Sequence, residues 1–223
     1  HRRLLFFSSL ALISFGFLQY VFLPDTRFLK FLGFDDHFYR FIGTLFDPNF
    51  IGAILGCLVI LYFDYFPKKP YFLLPLIGLA LTFSRGSYLS FFIALLFYGF
   101  LKSRRLIIYS LLLLLATIIV SPKPFGEGVN LLRTYSFTSR LTTQTQALNL
   151  FTHKPFLGYG FATLKLSLPP STDLLPDRAS RIDNSYLYLL VGGGLLALFA
   201  FIYFLRLVFI ALLPHPALLS SFL

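Results

Sequence analysis

YFLLPLIGLALTFSRGSYLSFFIALLFYGFL, residues 71–101, holds two uncharged apolar runs parted by one arginine. For both runs to lie side by side the chain has to reverse around Arg85, and Gly86 would permit a sharp turn or a close helix contact there. Arginine in or near a bilayer is costly. Arg85 is therefore either a snorkelling side chain that reaches lipid headgroups or a guanidinium put to use.

The rest of the chain is of the same kind. Of 223 residues, 57% are hydrophobic and 13% charged, against about 25% charged in soluble domains. The mean hydropathy is +0.78. The apolar residues come in unbroken runs rather than periodic stripes, which excludes a soluble enzyme, a nucleic-acid binder and a secreted disulfide scaffold. A membrane span needs about 20 apolar residues to cross roughly 30 Å of hydrocarbon. Six segments qualify, some only approximately: 4–23, 49–66, 71–84, 87–101, 106–120 and 185–205. The tail 207–223, broken by Pro214 and Pro216, could begin a seventh. The first run, 20 residues behind HRR, is too long for a signal-peptide core and has no small-residue cleavage site after it. The chain opens with His1 and has no methionine, so it reads as a fragment or a processed chain. The expected fold is all-α: a single transmembrane domain over 1–223, of about six spans, with a large outward loop that carries interfacial helices.

Basic residues set the orientation. Arg2 and Arg3, Lys68 and Lys69, Lys102 with Arg104 and Arg105, and Arg206 fall on one face if the spans alternate strictly. That face, with the N-terminus, is expected to be cytoplasmic. The outward segments are then 24–48, the turn at Arg85, and 121–184. The last is too long for a connector. It holds seven basic residues (Lys123, Arg133, Arg140, Lys154, Lys165, Arg178, Arg181) and four acidic ones. A basic surface on the side that the topology rule does not favour asks for an anionic ligand. The net charge of +10 is otherwise explained by topology and anionic lipid, and no nucleic-acid partner is expected.

Several stretches together resemble one family. TFSRGSYLSFFIALL (82–96) is similar to the SRG hairpin of O-antigen ligases and O-antigen polymerases, and RFIGTLFDPNFIGAILG (40–56) to their GTF–x–PN start of a span. Arg140 with QALNLFTHKPFLGYGFATL (146–164) resembles the family's large periplasmic loop. DNSYLYLLVGGGLLALFAF (183–201) resembles the point where that loop re-enters the membrane. The resemblance runs over about residues 38–206. It implies a membrane glycosyltransferase of the inner membrane, whose donor is a glycan on a polyprenyl pyrophosphate and whose acceptor is another glycan or a lipid. It implies no cofactor and no metal.

The chemistry needs cations for the pyrophosphate leaving group and a proton acceptor for the attacking hydroxyl. Arg140 matches the family position. Arg133, seven residues before it, would share a helix face with it; Arg85 is the next candidate. Asp183 stands where ligases tend to have histidine and would take the proton, although Asp183-Asn184 before an apolar run is also an ordinary helix cap. The missing histidine favours a polymerase. Asn184, Arg181, Gly158 and Gly160 are further substrate-side candidates, the two glycines permitting a tight turn near the sugar or the bilayer. A helix over 138–152, with Leu141, Leu148 and Phe151 apolar, would lie on the membrane. His153 before Lys154-Pro155 reads as a helix end. Gly192, Gly193 and Gly194 read as a close helix-packing face, and Asp47-Pro48-Asn49 as the cap of the second span. Asp35, Asp36 and His37 have no second cluster to complete a metal site, and lone Cys57 reads as a small buried residue. The competing classes are a transporter, which would keep ionisable residues inside its spans, and a non-catalytic membrane subunit.

Overall fold

The computed structural model describes residues 2–32, 34–35, 37–102, 104–120, 129–131, 135–160, 182, 184–214 and 218–219, with the backbone alone at 104–107, 109 and 135–140. Among them every regular element is helical, and the only strand-like pairing is one bridge between Asp25 and Phe38. The chain divides into two compact units: His1–Leu131 with Leu212–Leu223, and Leu132–Ala211.

The first unit holds α1 (Arg2–Phe22), α2 (Pro48–Tyr65), α3 (Leu73–Leu81), α4 (Arg85–Leu101) and α5 (Arg104–Val120). Asp47 starts α2 as the sequence predicts. Its carboxylate accepts from the N–H groups of Asn49 (2.6 Å) and Phe50 (3.1 Å), and Pro48 occupies the first turn, where its missing N–H is no loss. Ile51, Leu55, Leu76, Leu79, Phe91 and Leu95 are buried to 2% exposure or less and form the core with Phe41. Gly52 lets α2 and α4 approach, and Gly56 lines the same contact. A Cβ on Gly52 would lie 2.5 Å from Ser87 Oγ, and one on Gly56 3.4 Å from Phe91 Cβ. Four residues apart, they present one bare stripe.

Contacts at the helix ends fix directions. Lys102 pairs with Asp64 at 3.1 Å, and Arg2 lies over the ring of Tyr65. The starts of α2 and α4 meet through Asn49 and Ser84. So α2 and α4 run the same way, and α3 returns between them. The nine residues of α3 cover only about 14 Å. The expected span 71–84 is in fact a three-residue 3-10 turn, Pro70–Phe72, followed by this short helix and the non-helical residues 82–84.

The connection from α1 to α2 is folded. Arg27 donates to Asp25 from Nε (2.8 Å) and Nη2 (2.6 Å), which holds that carboxyl below its usual range. Gln19 on α1 accepts from the N–H groups of Ile42 and Gly43 and donates to the carbonyl of Arg40.

The second unit holds α6 (Tyr135–His153) and α7 (Ser185–Leu212). Ala147 and Val191 are buried against Leu150, Phe151, Tyr159, Ile182 and Tyr188. The expected apolar stripe of α6 therefore divides: Phe151 packs toward Val191, while Leu141 and Leu148 are exposed. Residues 207–212 continue α7, so the tail does not open a new span at 207. His153 does end α6, its Nδ1 lying 2.8 Å from the carbonyl of Asn149. Arg2–Phe22, Pro48–Tyr65 and Ser185–Leu212 are long and apolar enough to cross a membrane; Pro70–Leu81, Arg85–Leu101 and Ser110–Val120 are shorter apolar helices.

Candidate functional site

In the first unit the site is built on the turn that joins α3 to α4. Thr82 ends α3 with its hydroxyl on the carbonyl of Leu79 (2.7 Å). Phe83 then takes a left-handed backbone (φ 48°) with its ring fully buried, a conformation that costs a residue with a Cβ about 1–2 kcal/mol. Arg40 braces it. Its guanidinium, in a residue only 6% exposed, donates from Nε to the Thr82 carbonyl (2.8 Å) and from Nη2 to the Phe83 carbonyl (3.3 Å). Phe41 adds its own N–H to the Leu81 carbonyl (3.0 Å).

Ser84 caps α4 by accepting from the N–H of Ser87 (3.3 Å), and its hydroxyl donates to Asn49 Oδ1 (2.6 Å). The Ser87 hydroxyl lies 3.1 Å from the Asn49 carbonyl and 2.9 Å from Ser84 Oγ. The two sequence stretches RFIGTLFDPN and SRG thus meet in one partly buried polar cluster. Its product is the placement of Arg85, which is exposed at the first residue of α4 and donates from Nη1 to the Leu131 carbonyl (3.3 Å). A cation at a helix N-terminus faces the positive end of the helix dipole, so this cluster holds a guanidinium where the helix itself does not favour one. Gly86 has a different role from the one expected. It lies inside the first turn of α4, and a Cβ there would meet nothing within 4 Å, so neither the reversal nor a close contact requires it.

In the second unit α7 is broken at Gly194 (φ 66°, ψ −166°). In an unbroken helix the N–H groups of residues 195 and 196 would bond the carbonyls of 191 and 192. Here residues 155–160 enter the break. The N–H groups of Tyr159 and Gly160 take the carbonyls of Val191 (2.9 Å) and Gly192 (2.7 Å). The N–H groups of Leu195 and Leu196 go to the carbonyls of Pro155 (2.9 Å) and Phe156 (3.5 Å). The three glycines of α7 are thus a break filled by a loop rather than a face for another helix. Gly158 and Gly160 (φ 65° and 100°) lie against the same backbone; a Cβ on Gly158 would stand 2.5 Å from the Val191 carbonyl oxygen. Lys154 lies over the Tyr159 ring at 4.7 Å.

Asn184 caps α7, its Oδ1 accepting from the N–H groups of Tyr186 (3.0 Å) and Leu187 (3.3 Å). Arg140 lies on α6, seven residues before Ala147. Arg133, Arg181 and Asp183 lie outside the described residues. Arg40 is the residue that sequence reasoning passes over. Its signal was a charge directly ahead of an apolar, glycine-containing stretch, in a place where a loop residue has no reason to be buried.

The chain is a helical membrane protein whose apolar helices carry cationic and polar groups at their ends. Residues 70–202 match the family model described as O-antigen ligase, which covers more than half of the chain. The chain belongs to that family and so to the proteins that assemble cell-surface glycans. No curated protein and no solved structure matches it.

Proposed function

We propose that the protein transfers a glycan from a polyprenyl pyrophosphate to an acceptor hydroxyl at the outer face of the inner membrane. The observation that carries this reading is Arg85: an exposed guanidinium at the start of an apolar helix, on a turn that Arg40, Asn49, Ser84 and Ser87 brace from below. In this reading the chain crosses the bilayer about six times with its N-terminus in the cytoplasm. The end contacts of the first unit support that orientation, because Arg2 and Lys102 share one end of the helices and Arg85 stands at the other.

The acceptor oxygen attacks the anomeric carbon, the bond from that carbon to the pyrophosphate oxygen breaks, and the hydroxyl proton passes to Asp183. The pyrophosphate departs on its polyprenyl chain. Arg140 and Arg133 hold it and stabilise the charge that develops, and Arg85 adds cationic charge at the outer end of the first unit. Seven residues are close to two helical turns, so the repeat puts position 140 on the side of α6 where Ala147 meets Val191. Asn184, seven residues before Val191, starts the helix on the other side of that contact. Arg181 completes the glycan side, and Gly158 and Gly160 shape the turn that packs on α7. Neither a nucleotide sugar nor a metal is required. Aspartate at 183 favours polymerisation of lipid-linked repeats over ligation to a lipid acceptor.

The test uses the intact protein in lipid with a labelled polyprenyl-pyrophosphate oligosaccharide and a set of acceptors, read by product size. A ladder of repeats is the expected product, and a single transfer to a lipid acceptor would mean a ligase. Normal transfer by Arg85→Ala and Arg140→Ala at equal expression would end the assignment of both arginines. No product with any acceptor would return the chain to the transporter class.

A further inference from the structure

The break in α7 is not needed for crossing a membrane. An unbroken helix satisfies its own backbone, and each group left unsatisfied in hydrocarbon costs several kcal/mol. Here two bonds within the helix are exchanged for four to residues 155–160, so that the carbonyls of Val191 and Gly192 and the N–H groups of Leu195 and Leu196 all find partners. The exchange also constrains the sequence. Gly194 has a backbone open only to glycine, and a Cβ there would lie 2.2 Å from the Phe156 carbonyl oxygen. Gly158 is confined in the same way by Val191 and Gly192. What the exchange produces is a fixed relation between two helices. α6 ends at His153, and Pro155 is already bonded to Leu195, so almost no slack separates α6 from the break.

We propose that this backbone staple sets α6 against the first half of α7 for the transfer reaction, which makes Gly158, Gly160 and Gly194 positioning residues. They act through α6, the helix that carries position 140, and through the start of α7 that Asn184 caps. The inference rests on the transferase reading. A staple of this kind governs geometry more than affinity: a misplacement of about 1 Å can cost about 100-fold in rate, while charge attraction for the pyrophosphate survives it.

The experiment places cysteines at Ala147 and Val191, which pack together, in a Cys57→Ser background of the intact protein in lipid. Cross-linking rate and transfer kinetics are measured with and without Gly194→Ala. The expected result is a cross-link that slows about tenfold or more in the variant, with kcat down by about tenfold or more and KM for the lipid-linked donor within about twofold. Should Gly194→Ala not fold, Gly160→Ala is read in the same way, since a side chain at a φ of 100° is strained and perturbs the staple at its other strand of bonds. An unchanged cross-linking rate in a folded variant overturns the staple. A slowed cross-link with unchanged kcat overturns its role in the reaction. If the parent cross-links normally yet transfers glycan to no acceptor, the transferase reading falls and the positioning role with it, while the link between α6 and α7 stands.

Discussion

Replacing Arg40 by methionine keeps the stem of the side chain and removes its donors. Two buried carbonyls, Thr82 and Phe83, lose partners at 2.8 and 3.3 Å. An acceptor left unsatisfied in a buried place costs about 1–3 kcal/mol, and the longer bond belongs at the low end. Part of this loss is offset, because a guanidinium that is 6% exposed carries a desolvation penalty that methionine does not. The net expectation is a loss on the order of 1–3 kcal/mol. Arg40→Lys should fall between, since an ammonium can serve one carbonyl but lacks the planar fork that reaches both. Equilibrium unfolding of the intact protein in mixed micelles measures the difference. The same variants should lose glycan transfer beyond their loss of folded protein, because Phe83 in its left-handed conformation sets where α4 begins. Unfolding of Arg40→Met within about 0.5 kcal/mol of the parent would refute the bracing role, since surface positions behave that way. So would a lysine variant no better than methionine.

Gly52→Ala should cost about 1–3 kcal/mol by driving Ser87 and α4 from α2, as over-packing does. Gly86→Ala should instead raise stability by about 0.4–1 kcal/mol, because its Cβ meets nothing and the unfolded chain loses freedom; both are read by the same unfolding measurement. Phe83→Gly relieves backbone strain of about 1–2 kcal/mol but empties a fully buried ring site, a loss of about 3–5 kcal/mol, so the variant should be the less stable and show the cavity as weakened core protection in hydrogen exchange.

The apolar runs make the helical class and most helix positions legible, because in lipid the backbone has to satisfy itself and long uncharged runs have few other solutions. Asp47 and Asn184 are legible for a local reason, since a cap needs only the two or three residues that follow it. Arg40 is not, because its partners lie 42 and 43 positions away and no short window contains them. The break at Gly194 escapes for a related reason. Three glycines in a membrane run fit a close helix contact and a threaded loop equally well, and the sequence does not say that 155–160 comes back to them. Gly86 errs the other way: glycine beside a reversal invites a turn, yet the reversal is made by Phe83, a phenylalanine held left-handed by tertiary bonds. Of the transfer chemistry, Arg133, Arg181 and Asp183 rest on the sequence alone.

Arg85 separates a functional arginine from a structural one by the sign of two effects. At the first residue of α4 its charge opposes the helix dipole, worth about 0.3–1 kcal/mol against the folded state. Its bond to the Leu131 carbonyl is 3.3 Å long and exposed, a contact at the weak end of the usual net contribution of about 0.5–1.5 kcal/mol. These two effects oppose each other and are of similar size, so on their account Arg85→Ala should change stability by less than about 1 kcal/mol. Transfer should nevertheless fall, with the KM for the pyrophosphate-linked donor rising. Arg85→Lys should recover only part of it if two phosphate oxygens are bound side by side, because an ammonium is a point charge without the fork. A stability loss above about 1 kcal/mol that tracks the loss of transfer would make Arg85 a brace like Arg40, since that is the ordinary range for a lost structural contact. Stability and activity that move in opposite directions mark a residue kept for what it binds, at some cost to the fold.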